Sequence, residues 1–303
     1  MMFRVTHVTD IRYASAVRLA RFNVRLEPVA WPGQRLFDYR LKVSPRPASI
    51  LTSQGPYVVN TSRLALGEPI ASLRIESSFS VQVSPVAVDL AGPCPTVAEI
   101  RHAAPASRDM TPLAPAAYLF NSQIVSIAAE IGEWAQGCLA PECGILPAGR
   151  ALCHAIYTQF AYDSDATKTD TPPLAAFRQR RGVCQDFAHI MIAALRTHGI
   201  PAAYVSGYLR TIPPPGRPRL VGCDAMHAWV AIWCGEALGW VGFDPTNDVV
   251  VQADHITVAM GRDYADVAPV DGVFHGNDGQ QLRVAVDVLP VDQLAADTLI
   301  PAA

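Results

Sequence analysis

The sequence lacks both a long apolar run and a cluster of basic residues. No stretch reaches the ~18 uninterrupted apolar residues that a membrane helix needs. Lys and Arg number 24 against 27 Asp and Glu, which gives a net charge of −3. A near-neutral chain without a basic stripe has no electrostatic basis for binding nucleic acid or anionic lipid. We therefore expect neither nucleic acid nor a membrane as a partner.

The cysteines do not follow a disulfide or zinc pattern. There are seven, an odd number at irregular spacings, and residues 1–10 lack the charged-then-apolar pattern of a signal peptide, so we expect a cytoplasmic protein. Cys138, Cys143, Cys153 and His154 come nearest to a zinc ligand set but lack its paired short spacing. Glycine-rich phosphate loops and the G-x-S-x-G serine motif are also absent. We expect no metal and no cofactor.

Two regions of different pattern follow each other along the chain. Residues 1–92 alternate apolar and polar positions between turn signals, which predicts a β-rich domain, either an antiparallel sandwich or a half-barrel. Residues 93–117 are rich in proline and alanine and are predicted to be a linker. Residues 118–303 mix helices and strands, which predicts an α+β catalytic domain. Its core spans 150–250, and a strand at Leu282–Leu289 extends it.

Helix signals precede strand signals in this second region. Ser122 is a candidate N-cap for a helix that runs to about Gln136. A later helix begins near Cys184. Two strands, His227–Cys234 and Trp240–Phe243, are separated by a short glycine-containing turn and are predicted to form a hairpin. The fold expected here is a group of helices packed on an antiparallel sheet.

Cys184 occupies a position that activates a thiol. A free thiol has a pKa of about 8.5, so little thiolate exists at neutral pH unless a helix N-terminus or an imidazolium stabilises it. Cys184 follows Gly182 and Val183 and opens a predicted helix, where the helix dipole and free N–H groups face the sulfur. These N–H groups can also bind a developing oxyanion. The alternative is a small buried residue, the commoner role of a cysteine considered alone.

His227 and Asp244 are placed to complete a triad with this cysteine. His227 begins one strand of the hairpin and Asp244 follows the end of the other, so antiparallel pairing brings them side by side. Asp244 would then orient the imidazole and stabilise its charged form. Considered singly, His227 is more often a structural histidine, and Asp244 with Pro245 and Thr246 is more often a turn. Their order and geometry together favour catalysis.

Four blocks of sequence around these residues resemble the bacterial transglutaminase-like family. They are Gly182–His189, Leu195–Tyr208, Asp224–Val230 and Gly239–Asn247. The resemblance implies a papain-like fold and assigns the triad to Cys184, His227 and Asp244. It extends to an N-terminal β domain found in one bacterial subfamily and to a C-terminal block at His255–Val267. Members of that subfamily are described as cysteine peptidases without an established substrate. Cys223 has no role in this pattern.

Other residues near the predicted triad are candidates for supporting roles. Gln185 and Tyr162 could each assist the oxyanion site, and the sequence does not choose between them. Trp229 lies on the same side of its strand as His227 and could wall the acyl pocket, with core packing as the alternative. Asp186, the third residue of the Cys184 helix, is predicted to stabilise the helix start by its charge or by a capping bond.

A polar cluster follows the predicted core. It consists of Arg262, Asp263 and Tyr264. The cluster is either a loop over the rim of the active site or a loop held in place by ion pairs, and the sequence leaves both interpretations open. The proline-rich segment Pro213–Gly216 is predicted to be another loop.

The activity expected from these residues is cysteine-dependent hydrolysis of a peptide or amide through an acyl-thioenzyme. Water as the acceptor would make the protein a protease or amidase, and an amine would make it a protein-glutamine acyltransferase. A non-catalytic peptide-binding module on the same scaffold is the alternative from another class. The sequence does not indicate an oligomeric state.

Overall fold

The structure, a computed structural model, describes residues 1–84, 87–211, 225–276 and 279–291. Cys223 and the predicted loop Pro213–Gly216 lie outside the described residues. Helices and antiparallel sheets both occur, which confirms the predicted α+β class. None of the helices within the described ranges is long and apolar enough to cross a membrane.

The N-terminal part of the chain is an antiparallel β-sheet around one long strand. Its strands are β1 Met2–Val24, β2 Gln34–Ser44, β3 Ser49–Gln54, β4 Asn60–Ala65 and β5 Ile70–Val83. They lie in the order β2-β5-β1-β4-β3. Along β1 buried residues such as Phe3 and Val5 alternate with more exposed ones. The period of two that predicted these strands is therefore the period of their buried face.

Two strands from the C-terminal end of the chain join this sheet. They are β13 Val270–His275 and β14 Gln280–Pro290, and both pair antiparallel with β1. The last predicted strand, expected as an extension of the catalytic domain, thus forms its hydrogen bonds with β1, where Val5 lies opposite Val288. The predicted domain boundaries remain a prediction.

The second part of the chain packs helices against a five-stranded antiparallel sheet. The helices are α1 Val97–Ala106, α2 Ala129–Ala135, α3 Ile145–Gln159, α4 Pro173–Gln179, α5 Cys184–Thr197 and α6 Tyr264–Val267, with a 3-10 turn at Pro115–Tyr118. The sheet contains β8 Ala202–Leu209, β9 Ala225–Trp233, β10 Trp240–Asp244, β11 Val249–Val250 and β12 His255–Gly261, in the order β11-β10-β9-β8-β12. Two short strands, β6 Ala161–Tyr162 and β7 Arg181–Gly182, pair in parallel before α5. Helix α5 packs against β8 and β9.

A shared apolar cluster joins the two sheets. It contains Phe3, Val5, Phe79, Val81 and Val83 from the N-terminal sheet, Val286 and Val288 from β14, and Tyr208, Ile256 and Val258 from the second sheet. All ten side chains are buried. Because burying this much apolar surface stabilises both sheets at once, the cluster fixes the N-terminal sheet beside the sheet that carries His227.

The predicted linker contains a helix that sequence reasoning missed. Thr96 and Glu99 form a reciprocal capping box at the start of α1, with the N–H of Glu99 donating to Thr96 Oγ1 at 3.2 Å and the N–H of Thr96 donating to Glu99 Oε2 at 2.7 Å. A threonine followed three residues later by a glutamate is a readable helix signal. The proline and alanine content of residues 93–117 concealed it.

The helix predicted to start at Ser122 was wrong, because the helix in this segment, α2, begins at Ala129. Backbone and side-chain groups of this segment form hydrogen bonds with residues that are distant in the sequence. Asp263 Oδ2 accepts hydrogen bonds from the N–H groups of Ile124 at 2.6 Å and Val125 at 3.3 Å. The buried Arg196 donates to Ser122 Oγ at 3.1 Å. These charge-assisted bonds hold the segment in a non-helical conformation.

Candidate active site

Cys184 is the first residue of α5, as predicted. The residue before it, Val183, has extended backbone, and its N–H donates to Asp186 Oδ2 at 2.8 Å, which confirms the predicted capping bond. Thr167 Oγ1 donates to the same oxygen at 2.6 Å. A Cβ atom at Gly182 would lie 2.6 Å from that oxygen, so glycine leaves the room for this cap. The first N–H groups of a helix have no acceptor within the helix, and here they begin at the thiol.

His227 lies on β9 and connects the thiol to an acid. Its Nε2 atom lies 2.8 Å from Asp244 Oδ2, across the hairpin that β9 and β10 form. Cys184 and His227 line the same cleft, and the thiol is one of the groups that raise the pKa of the imidazole. Only 10% of the His227 side chain is exposed. The structure thus brings Cys184, His227 and Asp244 together in that order.

The Asp244 carboxylate is fully buried and accepts hydrogen bonds at both oxygens. Its Oδ1 atom accepts from the N–H groups of Thr246 at 3.0 Å and Asn247 at 3.3 Å. Besides His227, its Oδ2 atom accepts from Asn247 Nδ2 at 2.7 Å and has His255 Nε2 at 3.1 Å. Burial by itself would raise the pKa of Asp244, but the bonds from His227, His255 and Asn247 outweigh burial and hold that pKa far below its ordinary value.

His255 is a part of this network that sequence reasoning missed. Its Nδ1 atom accepts from the N–H of Gln252 at 3.4 Å, so its proton is on Nε2, which donates to Asp244. The side chain is buried. The sequence does not indicate that His255 contacts Asp244. Strand β11 lies between β10 and β12 in the chain, and β12 pairs with β8, not with β10. Asn247 could have been noticed, since it follows Asp244 by three residues in the turn.

These histidines and the aspartate also have the spacing of a cation site. The ligand atoms of His227, Asp244 and His255 lie within 4.8 Å of one another, a proximity that no other group of three or more His, Cys, Asp or Glu shows within the described ranges. The hydrogen bonds at 2.8 and 3.1 Å already account for their approach. Of the zinc candidates, Cys153 is buried, and its Sγ donates to the carbonyl oxygen of Asp244, whereas His154 Nδ1 lies 2.8 Å from Asp248 Oδ2.

The electrostatic setting of His227 favours its charged form. Burial opposes protonation of the imidazole, but the hydrogen bond with Asp244 and the interaction with the Cys184 thiol outweigh burial and raise the pKa of His227 to about 10. The imidazole is therefore cationic at neutral pH. This cation lies beside the thiol at the start of α5, since His227 and Cys184 line the same cleft.

The supporting candidates differ in whether they line the cleft beside Cys184. Gln185 lines the cleft next to Cys184, and its side-chain Nε2 donates to the carbonyl oxygen of Thr169 at 2.7 Å. Tyr162 is 61% exposed, and burial together with the nearby Cys184 raises the pKa of its phenol. Trp229 is buried and does not line the cleft. Its ring packs behind the site, 5.2 Å from the His255 ring between centroids, as the core-packing alternative predicts.

The polar cluster after β12 consists of two residues that hold the loop in place and one that lines the cleft. Arg262 forms an ion pair with Asp266, Nε to Oδ2 at 2.9 Å. Asp263 is buried, and its Oδ1 accepts from the N–H of Ala265 at the start of α6. These two residues hold the loop in place. Tyr264 differs from them, because its side chain lines the cleft beside Cys184.

The fold and the site together define a class of protein. A cysteine at a helix start, facing a histidine and an aspartate on adjacent antiparallel strands, is the arrangement of papain-like thiol hydrolases and acyltransferases. Residues 133–245 match the Transglutaminase-like superfamily, and residues 3–82 match the Bacterial transglutaminase-like N-terminal region. The chain belongs to the transglutaminase-like superfamily and carries the N-terminal region of its bacterial members.

Individual relatives differ in how much of the chain they match. An uncharacterized protein of Mycobacterium tuberculosis is 37% identical over 294 residues, which cover 96% of this chain and 93% of the relative. A Protein-glutamine gamma-glutamyltransferase of Pseudomonas aeruginosa is 35% identical over 108 residues, 33% of this chain and 16% of that protein. A solved structure from Cytophaga hutchinsonii, named a "Putative Cysteine Protease", has a TM-score of 0.74 at 23% identity and covers 96% of this chain and 91% of its own. This likeness confirms the predicted fold.

Proposed function

We propose that this chain is a cysteine-dependent hydrolase of amide or peptide bonds, with Cys184, His227 and Asp244 as its triad. The observation that carries the proposal is the position of His227, which lines the same cleft as Cys184 and has its Nε2 atom 2.8 Å from the buried carboxylate of Asp244. A histidine held in this way can keep a thiolate and then move a proton to the leaving group. The charged imidazole at neutral pH supports the same role.

The reaction proceeds through an acyl-thioenzyme. The Cys184 thiolate attacks the carbonyl carbon, and the oxyanion is stabilised by the free N–H groups at the start of α5. The imidazolium of His227 donates its proton to the amine as the C–N bond breaks, which leaves a thioester on Cys184. His227 then takes a proton from water, whose oxygen attacks the thioester carbonyl. The C–S bond breaks, which releases the carboxylic acid and restores the Cys184 thiolate beside the imidazolium. Asp244 keeps the imidazole oriented through both steps.

Acyl transfer to an amine is the second candidate, because part of the chain resembles the Pseudomonas aeruginosa glutamyltransferase. The first half of this reaction is identical. The two candidates differ only in whether water or an amine resolves the thioester, and the triad serves both. A binding module without activity would keep the scaffold but would not need a reactive thiol.

Alkylation of the thiols tests the proposed nucleophile. We expect iodoacetamide at neutral pH to label Cys184 faster than the other six cysteines, and the substitution His227→Ala to abolish that preference. Peptide mapping by mass spectrometry measures the labelling of each site. Labelling of Cys184 no faster than that of the other thiols would favour the binding module and contradict the proposal.

A second experiment separates hydrolysis from transfer. The native protein and Cys184→Ala are incubated with cell peptide extracts, with and without an added primary amine, and peptide masses are compared. Hydrolysis gives shorter peptides or deamidated ones only with the native protein. Transfer gives peptides heavier by the mass of the amine less ammonia. A native sample identical to Cys184→Ala would count against both activities.

A further inference from the structure

A cleft of about 500 Å³ opens from the candidate triad toward the N-terminal sheet. Cys184 and His227 lie on one side of it. Strands β1, β13 and β14 supply the other side, so more than half of the lining residues come from outside helix α5 and the sheet that carries His227 and Asp244. The N-terminal sheet is therefore part of the site.

Strand β14 presents a continuous apolar face that is covered at one end only. Leu282, Val284, Val286 and Val288 alternate along one side of the strand. Val286 and Val288 are buried in the cluster that joins the two sheets. Leu282 is 59% exposed and Val284 is 49% exposed, and both line the cleft. The same apolar face thus continues from the core into the cleft, where Leu282 and Val284 stay exposed among the residues that the structure describes.

Strand β1 continues this surface sideways. Ile11 pairs with Leu282 and Thr9 pairs with Val284 in the β1–β14 register, and Ile11 and Thr9 also line the cleft. Further apolar side chains that line it come from β1, β9 and β13: Phe22, Met226, Val270 and Phe274. Apolar side chains are thus the majority among the lining residues that β1, β13 and β14 contribute.

Charge is scarce in the cleft. Asp271 is the acidic residue among the described lining residues, and it forms an ion pair with Arg25. His7 is buried, and burial lowers its pKa to about 4, so it is neutral at pH 7. Within the described part of the lining, the cation that remains is His227, whose charge is balanced by Asp244. A charged substrate group would find no free partner among these described lining residues.

We propose that this cleft is the acyl subsite and that it takes an uncharged apolar acyl group. The inference rests on the proposed function, because it assigns the group that Cys184 carries. The acyl group stays bound through both half-reactions, whereas the amine must leave and water must enter. An apolar cleft beside the thiol therefore suits the acyl part of the substrate, whose burial stabilises the transition state for acylation.

A series of para-nitrophenyl esters tests the subsite. Acetate, butanoate and hexanoate extend the acyl chain by methylenes, and the monosuccinate ester adds a charge. Each buried methylene increases acylation up to about fourfold, so we expect the hexanoate ester to acylate Cys184 at least about tenfold faster than acetate. The monosuccinate should gain nothing. The release of para-nitrophenolate in the first turnover, followed by stopped flow, measures these rates.

Substitutions on β14 locate the effect. Leu282→Ser and Val284→Ser should each lower the hexanoate-to-acetate ratio about threefold, and the double substitution should bring it near one. Val273→Ser is the matched control, because Val273 is 69% exposed on the neighbouring strand β13 but does not line the cleft. This control should keep the native ratio. A native ratio near one, or a ratio unchanged in the double variant, would overturn the subsite.

Binding without chemistry separates this inference from the proposed function. Saturation-transfer NMR of N-methylhexanamide with Cys184→Ala should give a signal that Leu282→Ser weakens and that N-methylacetamide does not give. If no ester reacts but this signal is present, the apolar subsite stands and the catalytic proposal falls. If acetate reacts and the series is flat, the subsite alone falls. If neither reaction nor signal occurs, both fall.

Discussion

The Nε2 atom of His255 lies 3.1 Å from Asp244 Oδ2, the same oxygen that faces His227 at 2.8 Å. The two histidines come from different strands, β12 and β9. Asn247 Nδ2 donates to that oxygen as well, at 2.7 Å. A buried carboxylate held by so many donors has little freedom to rotate. We therefore treat His255 as a positioning residue for Asp244.

Removing the hydrogen bond from His255 should allow the Asp244 carboxylate to rotate, so that it orients His227 less well. We expect His255→Leu to lower the rate of Cys184 alkylation about tenfold and the free energy of unfolding by about 2 kcal/mol, because a hydrogen bond to a charged, buried group is lost. Iodoacetamide kinetics and urea unfolding measure the two effects.

His198 provides a matched control for this substitution. It is a half-buried histidine whose Nε2 lies 2.9 Å from the carbonyl oxygen of Gly132, on a different part of the fold. His198→Leu should lower stability without slowing Cys184 alkylation. Equal slowing in the two variants would mean that His255 acts through stability alone.

Exchanging Asp244 for its amide should disable the site. Donors converge on both oxygens of Asp244, so the NH₂ group of an asparagine side chain at this position would face N–H donors in either orientation. His227 would also lose its counter-charge. We expect Asp244→Asn to slow acylation roughly a thousandfold.

The control for that exchange is Asp254→Asn. Asp254 forms an ion pair with Arg210, Oδ1 to Nε at 2.7 Å, and takes no part in the triad network. Its variant should acylate at the native rate in the same ester assay. An Asp244→Asn protein within tenfold of native would argue against Asp244 as the orienting acid.

The pKa of His227 predicts a pH-dependent stability. Folding raises this pKa from 6.5 to about 10, so its stabilisation is fully present below about pH 6.5 and is lost as the pH rises through about 10. Relative to His227→Gln, the free energy of unfolding of the native protein should fall across that range. Urea unfolding at several pH values measures the difference, and a constant difference would contradict the prediction.

Gly207 lies opposite His227 in the β8–β9 register. A Cβ atom there would overlap the carbonyl oxygen of Ile256 and the ring of Trp229. We expect Gly207→Ala to lower the free energy of unfolding by about 1–3 kcal/mol, because overpacking must displace that ring. Gly137→Ala is the control, since a Cβ atom at Gly137 meets nothing within 4 Å. Urea unfolding of both variants compares them, and equal stabilities would contradict the prediction.

Local features of the candidate site could be predicted from the sequence. Cys184 begins a helix. The signals that predict this helix, the preceding Gly182 and the spacing of the apolar residues, lie close to Cys184 in the sequence. His227 and Asp244 meet because a hairpin with a short turn pairs neighbouring strands, and Gly235 and Gly239 both adopt the positive φ that the turn requires. Each of these features depends on residues close together in the sequence.

Features that depend on distant segments could not be predicted. Nothing near Ser122 indicates that Asp263 and Arg196 would bind its segment and prevent a helix there. Nothing near Leu282 indicates that its strand would pair with β1 and face Cys184. These partners are set by tertiary packing, because burying apolar surface and pairing buried charges outweigh the local preference of a segment for a helix or a strand.

The sequence by itself determined the candidate nucleophile, the base and its orienting acid, because helix starts and hairpins are encoded over short stretches. Only the tertiary structure decided that His255 supports Asp244 and that the N-terminal sheet walls the cleft. The reason is physical: β12 and β14 reach the site through a shared core, and the partners in that core are separated by long stretches of chain.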